Sequence, residues 1–229
     1  MNTQVTQIRT GGYGISQEER NRVLRNTYWL LALSLLPTVL GAWLGVATGI
    51  TESLRGGLGL IVFLGGAFGF MFAIEKTKNS AAGVAVLLGF TFFMGLMLAR
   101  LLAIVLSKGN GASLVMMAFA GTSAAFFGMA MLSSVIKRDL SGLAKFLFIG
   151  AIGILVVGIA NVFIQSGALM MTLSVLAVLV FSAFILVDLK RVRDGEETNY
   201  VTATLGVYLS LYNVFQSLLA MFGILGGED

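Results

Sequence analysis

Apolar residues fill this chain in seven long runs, separated by short polar connections. The runs cover about residues 26–50, 56–74, 81–106, 112–136, 143–164, 167–187 and 200–224. Each is about 19 to 26 residues long, enough to cross a ~30 Å hydrocarbon core at ~1.5 Å per residue. Backbone amides in lipid must pair within their own segment, so the runs predict helices and not open strands. The connections leave no room for a separate folded domain between spans. The expectation is an all-α integral membrane protein with seven transmembrane helices in one domain, residues 26–229, preceded by a flexible polar tail, residues 1–25.

Composition agrees: 57% of residues are hydrophobic and 11% charged, with a mean hydropathy of +0.93. A soluble domain carries roughly 25% charged residues. The first run is too long and too far from the start for a cleavable signal peptide, and no small-residue cleavage pattern follows it. Proline occurs once, at Pro37, whereas glycine occurs 29 times. Gly41 with Gly45, Gly65 with Gly69, and Ala124 with Gly128 stand four apart inside spans, the spacing that lets membrane helices approach closely. Packing within one bundle is the expected use of all three. Oligomeric state stays open.

Lysine and arginine set the orientation. With seven spans, Arg9, Arg20, Arg22, Arg25, Lys76, Lys78, Lys137, Arg138, Lys145, Lys190, Arg191 and Arg193 fall on one side. Arg55 and Lys108 fall on the other. The basic side faces the cytoplasm, which places the amino terminus inside and the carboxyl terminus outside. Tyr28, Trp29 and Trp43 suit interfacial anchoring. The net charge of +4 is accounted for by this asymmetry and gives no reason to expect nucleic acid as a partner.

The chain has no histidine and no cysteine. That excludes a catalytic triad, a histidine- or thiolate-held metal and thiol chemistry. No phosphate-cradling glycine motif is present either. The expectation is a non-enzyme without a cofactor.

Few ionisable groups lie at membrane depth. Asp188 closes the sixth run in Phe184-Ile185-Leu186-Val187-Asp188-Leu189. It reads either as a proton or cation site or as an interfacial acid paired with Lys190 or Arg191. Arg100 interrupts the third run and reads as a residue that snorkels outward, lines a pathway or pairs with an acid. Asn161 and Gln165 read as interhelical hydrogen-bonding groups. In the seventh run Thr202, Gly206, Ser210, Asn213 and Ser217 follow at steps of four, four, three and four, on one helical stripe. A small, polar stripe should face protein, which makes the seventh helix a central element with Ser210 and Asn213 inward.

Lys137-Arg138-Asp139-Leu140-Ser141, Ile185-Leu186-Val187-Asp188-Leu189, and Tyr208-Leu209-Ser210-Leu211-Tyr212-Asn213-Val214-Phe215 together resemble the Bax-inhibitor family of seven-helix membrane proteins. Val23-Leu24-Arg25-Asn26-Thr27-Tyr28 and Glu197-Thr198-Asn199-Tyr200 are similar to its bacterial YccA-like branch. The resemblance implies six helices around the seventh and a bacterial inner-membrane location. It also implies association with the membrane-anchored protease FtsH, with the amino-terminal tail as the handle. In other members an aspartate pair on helices six and seven latches a pH-sensitive calcium leak. Asp188 matches the helix-six acid, but Ser210 stands at the helix-seven position. A shared-proton carboxylate pair is therefore absent, and calcium at Asp188 remains an alternative expectation.

Overall fold

The computed structural model describes residues 16–50 and 56–226. Among them lie seven helices, each long and apolar enough to cross a membrane, and no strand. They are α1 (Gln17–Thr48), α2 (Gly56–Thr77), α3 (Ala81–Leu106), α4 (Gly111–Val135), α5 (Ser141–Ile164), α6 (Gly167–Asp194) and α7 (Tyr200–Leu225). The protein is a multi-pass membrane bundle. Large apolar side chains such as Phe68, Phe72, Phe119, Phe127, Phe146 and Leu179 point outward, alongside Trp29 and Trp43. Water would not tolerate that surface; lipid does.

Two helices run past their apolar stretches, for local reasons. α1 starts at Gln17 because Ser16 and Glu19 form a capping box: the Ser16 hydroxyl accepts the Glu19 amide at 3.1 Å and Glu19 accepts the Ser16 amide at 3.0 Å. Residues 17–25 of the expected tail thus belong to the first helix, while residues 1–15 lie outside the described residues. α6 continues from Asp188 to Asp194 and stops at Gly195, whose φ of 84° suits the left-handed cap. Lys190, Arg191 and Arg193 are therefore helical, and Asp188 sits inside a helix instead of closing one.

α7 is the centre. It packs against α1, α2, α3, α4 and α6, while α5 completes the ring by seating on α6 and α2. α1 and α3 make the most extensive contact between helices that are not chain neighbours. Its closeness comes from facing glycines. A Cβ on Gly41 would meet the Phe92 carbonyl, and one on Gly95 would meet the Thr38 carbonyl. Neither obstacle can swing away, since both belong to backbone.

The other small-residue pairs behave differently. At Gly65, Gly69 and Gly128 an added Cβ would meet nothing within 4 Å, and Ala124 is exposed. They face outward, contrary to the expectation of packing within the bundle. Small side chains permit a close approach, but here α2 and α4 turn those faces away from their neighbours. Asn161 also departs from expectation. Its side-chain carbonyl accepts the Ser166 amide at 3.0 Å, closing the α5–α6 turn, with Gln165 held at φ 56°.

The α1–α3 contact yields a direct check. Gly95→Val should destabilise the bundle by about 1–3 kcal/mol or more, as overpacking against fixed backbone does. Gly65→Val, on an outward face, should stay within about 0.5 kcal/mol of the parent. Thermal unfolding in detergent reads both, and equal melting temperatures for the two variants would refute the close approach.

Candidate functional site

The polar groups of α7 are divided between two sides of the helix. One side meets α6. The 28 residues of α6 rise about 42 Å, and Asp188 lies ~9 Å from its end, close to the edge of a ~30 Å hydrocarbon core. Its half-buried carboxylate points at α7, where the Ser210 hydroxyl donates to Oδ2 at 3.4 Å. Gly206, one turn earlier on α7, makes the space: a Cβ there would stand 3.3 Å from Asp188 Oδ2. Any larger residue would push the carboxylate aside.

Neither expected cation is paired with Asp188. Lys190 is buried and bonds Asp194, while Arg191 lies 3.8 Å from Glu196. Arg193 also bonds Asp194, at 3.0 Å, and donates to the Ile136 carbonyl at 3.0 Å. The basic residues at the end of α6 thus fasten the α4–α5 and α6–α7 connections. Among the described residues the Ser210 hydroxyl makes the one hydrogen bond to Asp188, and the Arg191 charge acts on it from beyond ion-pair distance. That is modest support for a group that is costly to hold in apolar surroundings.

Of the stripe expected to point inward, Ser210 is buried against Asp188 and Gly206 is half-buried beneath it. Asn213 is not part of that cluster. Its side-chain amide turns back on its own helix and donates to the Leu209 carbonyl at 2.7 Å. Among the described residues no group of three or more carboxylates or other metal-binding side chains occurs. Asp188 and Ser210 supply far fewer than the 6–8 oxygens that calcium takes when held.

The opposite side of α7 carries a polar ladder that a search for small polar residues does not reveal. The Tyr208 hydroxyl lies 2.8 Å from Thr38 Oγ1 on α1 and 3.4 Å from the Thr91 carbonyl on α3. Tyr212 donates to the Met94 carbonyl at 3.2 Å. Thr204 donates to the Tyr200 carbonyl at 2.6 Å and reaches the Thr27 carbonyl at 3.4 Å. Thr204, Tyr208 and Tyr212 follow at steps of four, so the signal was in the sequence. Aromatic rings simply read as apolar in a hydropathy pattern, although each carries a polar tip.

At the basic end, α7 starts on an Asn199 cap whose side chain accepts the Val201 and Thr202 amides at 2.9 and 3.2 Å. The same side chain donates to the Lys78 carbonyl at 3.1 Å and to Asn79 at 2.8 Å, tying in the α2–α3 connection. Nearby, Asp139 accepts the Ser141 amide and hydroxyl at 2.8 and 2.9 Å, which holds its carboxyl below the usual carboxylate range. The start of α1 docks here too. Val23 packs with Val192 of α6 and Ala203 of α7.

Towards the other end, Arg100 lines a cleft of about 290 Å³ between α2, α3, α5 and α7. It makes no ion pair or hydrogen bond among the described residues. Tyr212 and Gln216 share the cleft with apolar residues of α2 and α5.

Residues 20–227 match the Bax1-I family, described as inhibitor of apoptosis-promoting Bax1. An uncharacterized membrane protein of Vibrio cholerae is 35% identical over 211 residues, covering 92% of this chain and 93% of that protein. The modulator of FtsH protease YccA of Escherichia coli K12 is 37% identical over 203 residues, covering 89% of this chain and 90% of that protein. A protein of Escherichia coli O6:H1 with the same identity and coverage is named inner membrane protein YccA.

Proposed function

The chain belongs to the Bax-inhibitor family, and on that premise we propose that it is a bacterial inner-membrane protein that binds and modulates the FtsH protease, with no catalysis of its own. The observation that carries this reading is the 37% identity, across nearly the whole length of both chains, to a protein named for that activity. The residue inventory agrees, since a chain without histidine or cysteine lacks the commonest general base, the thiol nucleophile and the metal ligands those two residues supply. The basic residues gathered on one side orient the amino terminus to the cytoplasm and the carboxyl terminus to the outside.

The tail is the handle in this proposal. α1, which follows the tail in the chain, packs against α6 and α7 through Val23, Val192 and Ala203. Deleting residues 1–15 leaves the Ser16–Glu19 capping box, and hence α1, intact. The truncated protein should lose most of its restraint on proteolysis by FtsH while remaining folded in the membrane. Co-purification with the protease and the turnover rate of a membrane substrate read this. Unchanged restraint would remove the tail as handle, and absence of any association in the full-length chain would end the proposal.

A second reading is favoured by one specific observation: Asp188 has neither neighbouring cation as an ion-pair partner and faces Ser210 across a gap kept open by Gly206. In it the protein is a pH-sensitive leak path for calcium or another cation, gated at the α6–α7 contact. Protonation of Asp188 removes the charge that draws a cation in and changes its bond to Ser210. Calcium-loaded vesicles carrying the purified protein should show pH-dependent flux, and Asp188→Asn should make that flux small or independent of pH. Equal flux from wild type, variant and empty vesicles would dismiss this second activity.

A further inference from the structure

The cleft at Arg100 has the features of a lipid seat. α3 is 26 residues long, about 39 Å, and Arg100 lies ~9 Å from the end remote from the basic connections. Its guanidinium is exposed, and a flexible stem lets it reach the headgroup level of that leaflet. Among the described residues no carboxylate is within ion-pair distance of it, and none lines the cleft. An unpaired cation at this depth is expensive and calls for an anion.

The rest of the lining narrows the kind of anion. Gln216 of α7 is the second polar side chain with hydrogen-bonding capacity to offer, since the Tyr212 hydroxyl is committed to Met94. The remaining wall is Gly56, Gly59, Leu60 and Phe63 of α2, Met97 of α3 and Val162 of α5, without a further polar side chain. A wall of that character suits hydrocarbon and repels a hydrated ion. Charge at the mouth and an apolar wall beside it match an amphiphile with a negatively charged head.

We propose that the cleft between α2, α3, α5 and α7 binds one anionic phospholipid from the leaflet opposite the basic end, with its phosphate on Arg100 and Gln216 and an acyl chain along Leu60, Phe63 and Val162. A guanidinium bonds a phosphate with two parallel donors, whereas a lysine offers a point charge. Arg100→Lys should therefore keep only part of the affinity.

The test uses the full chain, purified in detergent, with bound lipid counted by native mass spectrometry. Phosphatidylglycerol and phosphatidylcholine of identical acyl chains are the probes, and glycerol phosphate is the soluble competitor. Wild type should retain phosphatidylglycerol in preference to phosphatidylcholine, and Arg100→Gln should weaken that retention about tenfold, as loss of a charge-assisted contact does. Val162→Phe, which narrows the apolar wall and leaves the charge, should weaken it as well. Glycerol phosphate at matched concentration should not displace the lipid. Equal retention of the two lipids by wild type, or of phosphatidylglycerol by Arg100→Gln and wild type, overturns the proposal. Displacement by glycerol phosphate also overturns it and assigns the site to a free phosphate. Should Arg100→Gln melt at a lower temperature than wild type, Val162→Phe decides: wild-type retention in that variant overturns the acyl-chain placement.

Discussion

Lipid offers a buried polar group no water to fall back on, and this structure is organised around that constraint. Most serine and threonine hydroxyls inside the spans meet it locally by bonding a carbonyl three or four residues earlier, as Thr27, Ser34, Thr122 and Ser174 do. The bonds that cross between helices are fewer, and they gather on α7 and on the connection that leads into it. Thr38 with Tyr208, Tyr212 with Met94, Ser210 with Asp188 and Asn199 with Lys78 each join the seventh helix to a different neighbour or level. Interhelical polar contacts in membranes are worth about 0.6 kcal/mol each on average. Their energetic sum is modest, but each needs a polar partner at one place on a neighbour, so together they fix which face of α7 meets which helix.

That arrangement separates two kinds of work. The α7 face towards α1 and α3 is closed by tyrosines whose hydroxyls are committed, against a helix pair brought together by Gly41 and Gly95. It is a rigid wall. The face towards α6 holds a carboxylate with one weak partner and a glycine in place of a side chain. The start of α1 is docked beside it, through Val23 against Val192 and Ala203.

Much of this was legible in the sequence, because span length and apolar content are dictated by the bilayer itself. The helix ends were less so. α6 runs past Asp188 because Lys190 and Arg193 find partners on the helix or beside it, and α1 starts early because of one capping box. Hydropathy carries neither fact. The stripe placed Ser210 on an inward face of α7, and the correspondence of Asp188 with Ser210 came from the family resemblance alone. Asn213 shares the stripe but bonds backwards, since a side chain's spacing places it on a face without choosing its partner. Gly65, Gly69 and Gly128 show the same limit: their spacing permits close packing, and only the arrangement of the neighbours decides whether it happens. The tyrosine ladder escapes a hydropathy pattern because its polar atoms are a small part of large apolar rings.

The central place of α7, and with it the second functional reading, needs the carboxylate of α6 held against Ser210. The absence of native cysteine makes this contact directly measurable: Asp188→Cys combined with Ser210→Cys, oxidised in native membranes, reports it without background. A cross-link within one chain is expected, with no comparable product when Asn213→Cys replaces Ser210→Cys. Cross-links that form only between chains, or equally well from position 213, would refute the placement of α7 against α6.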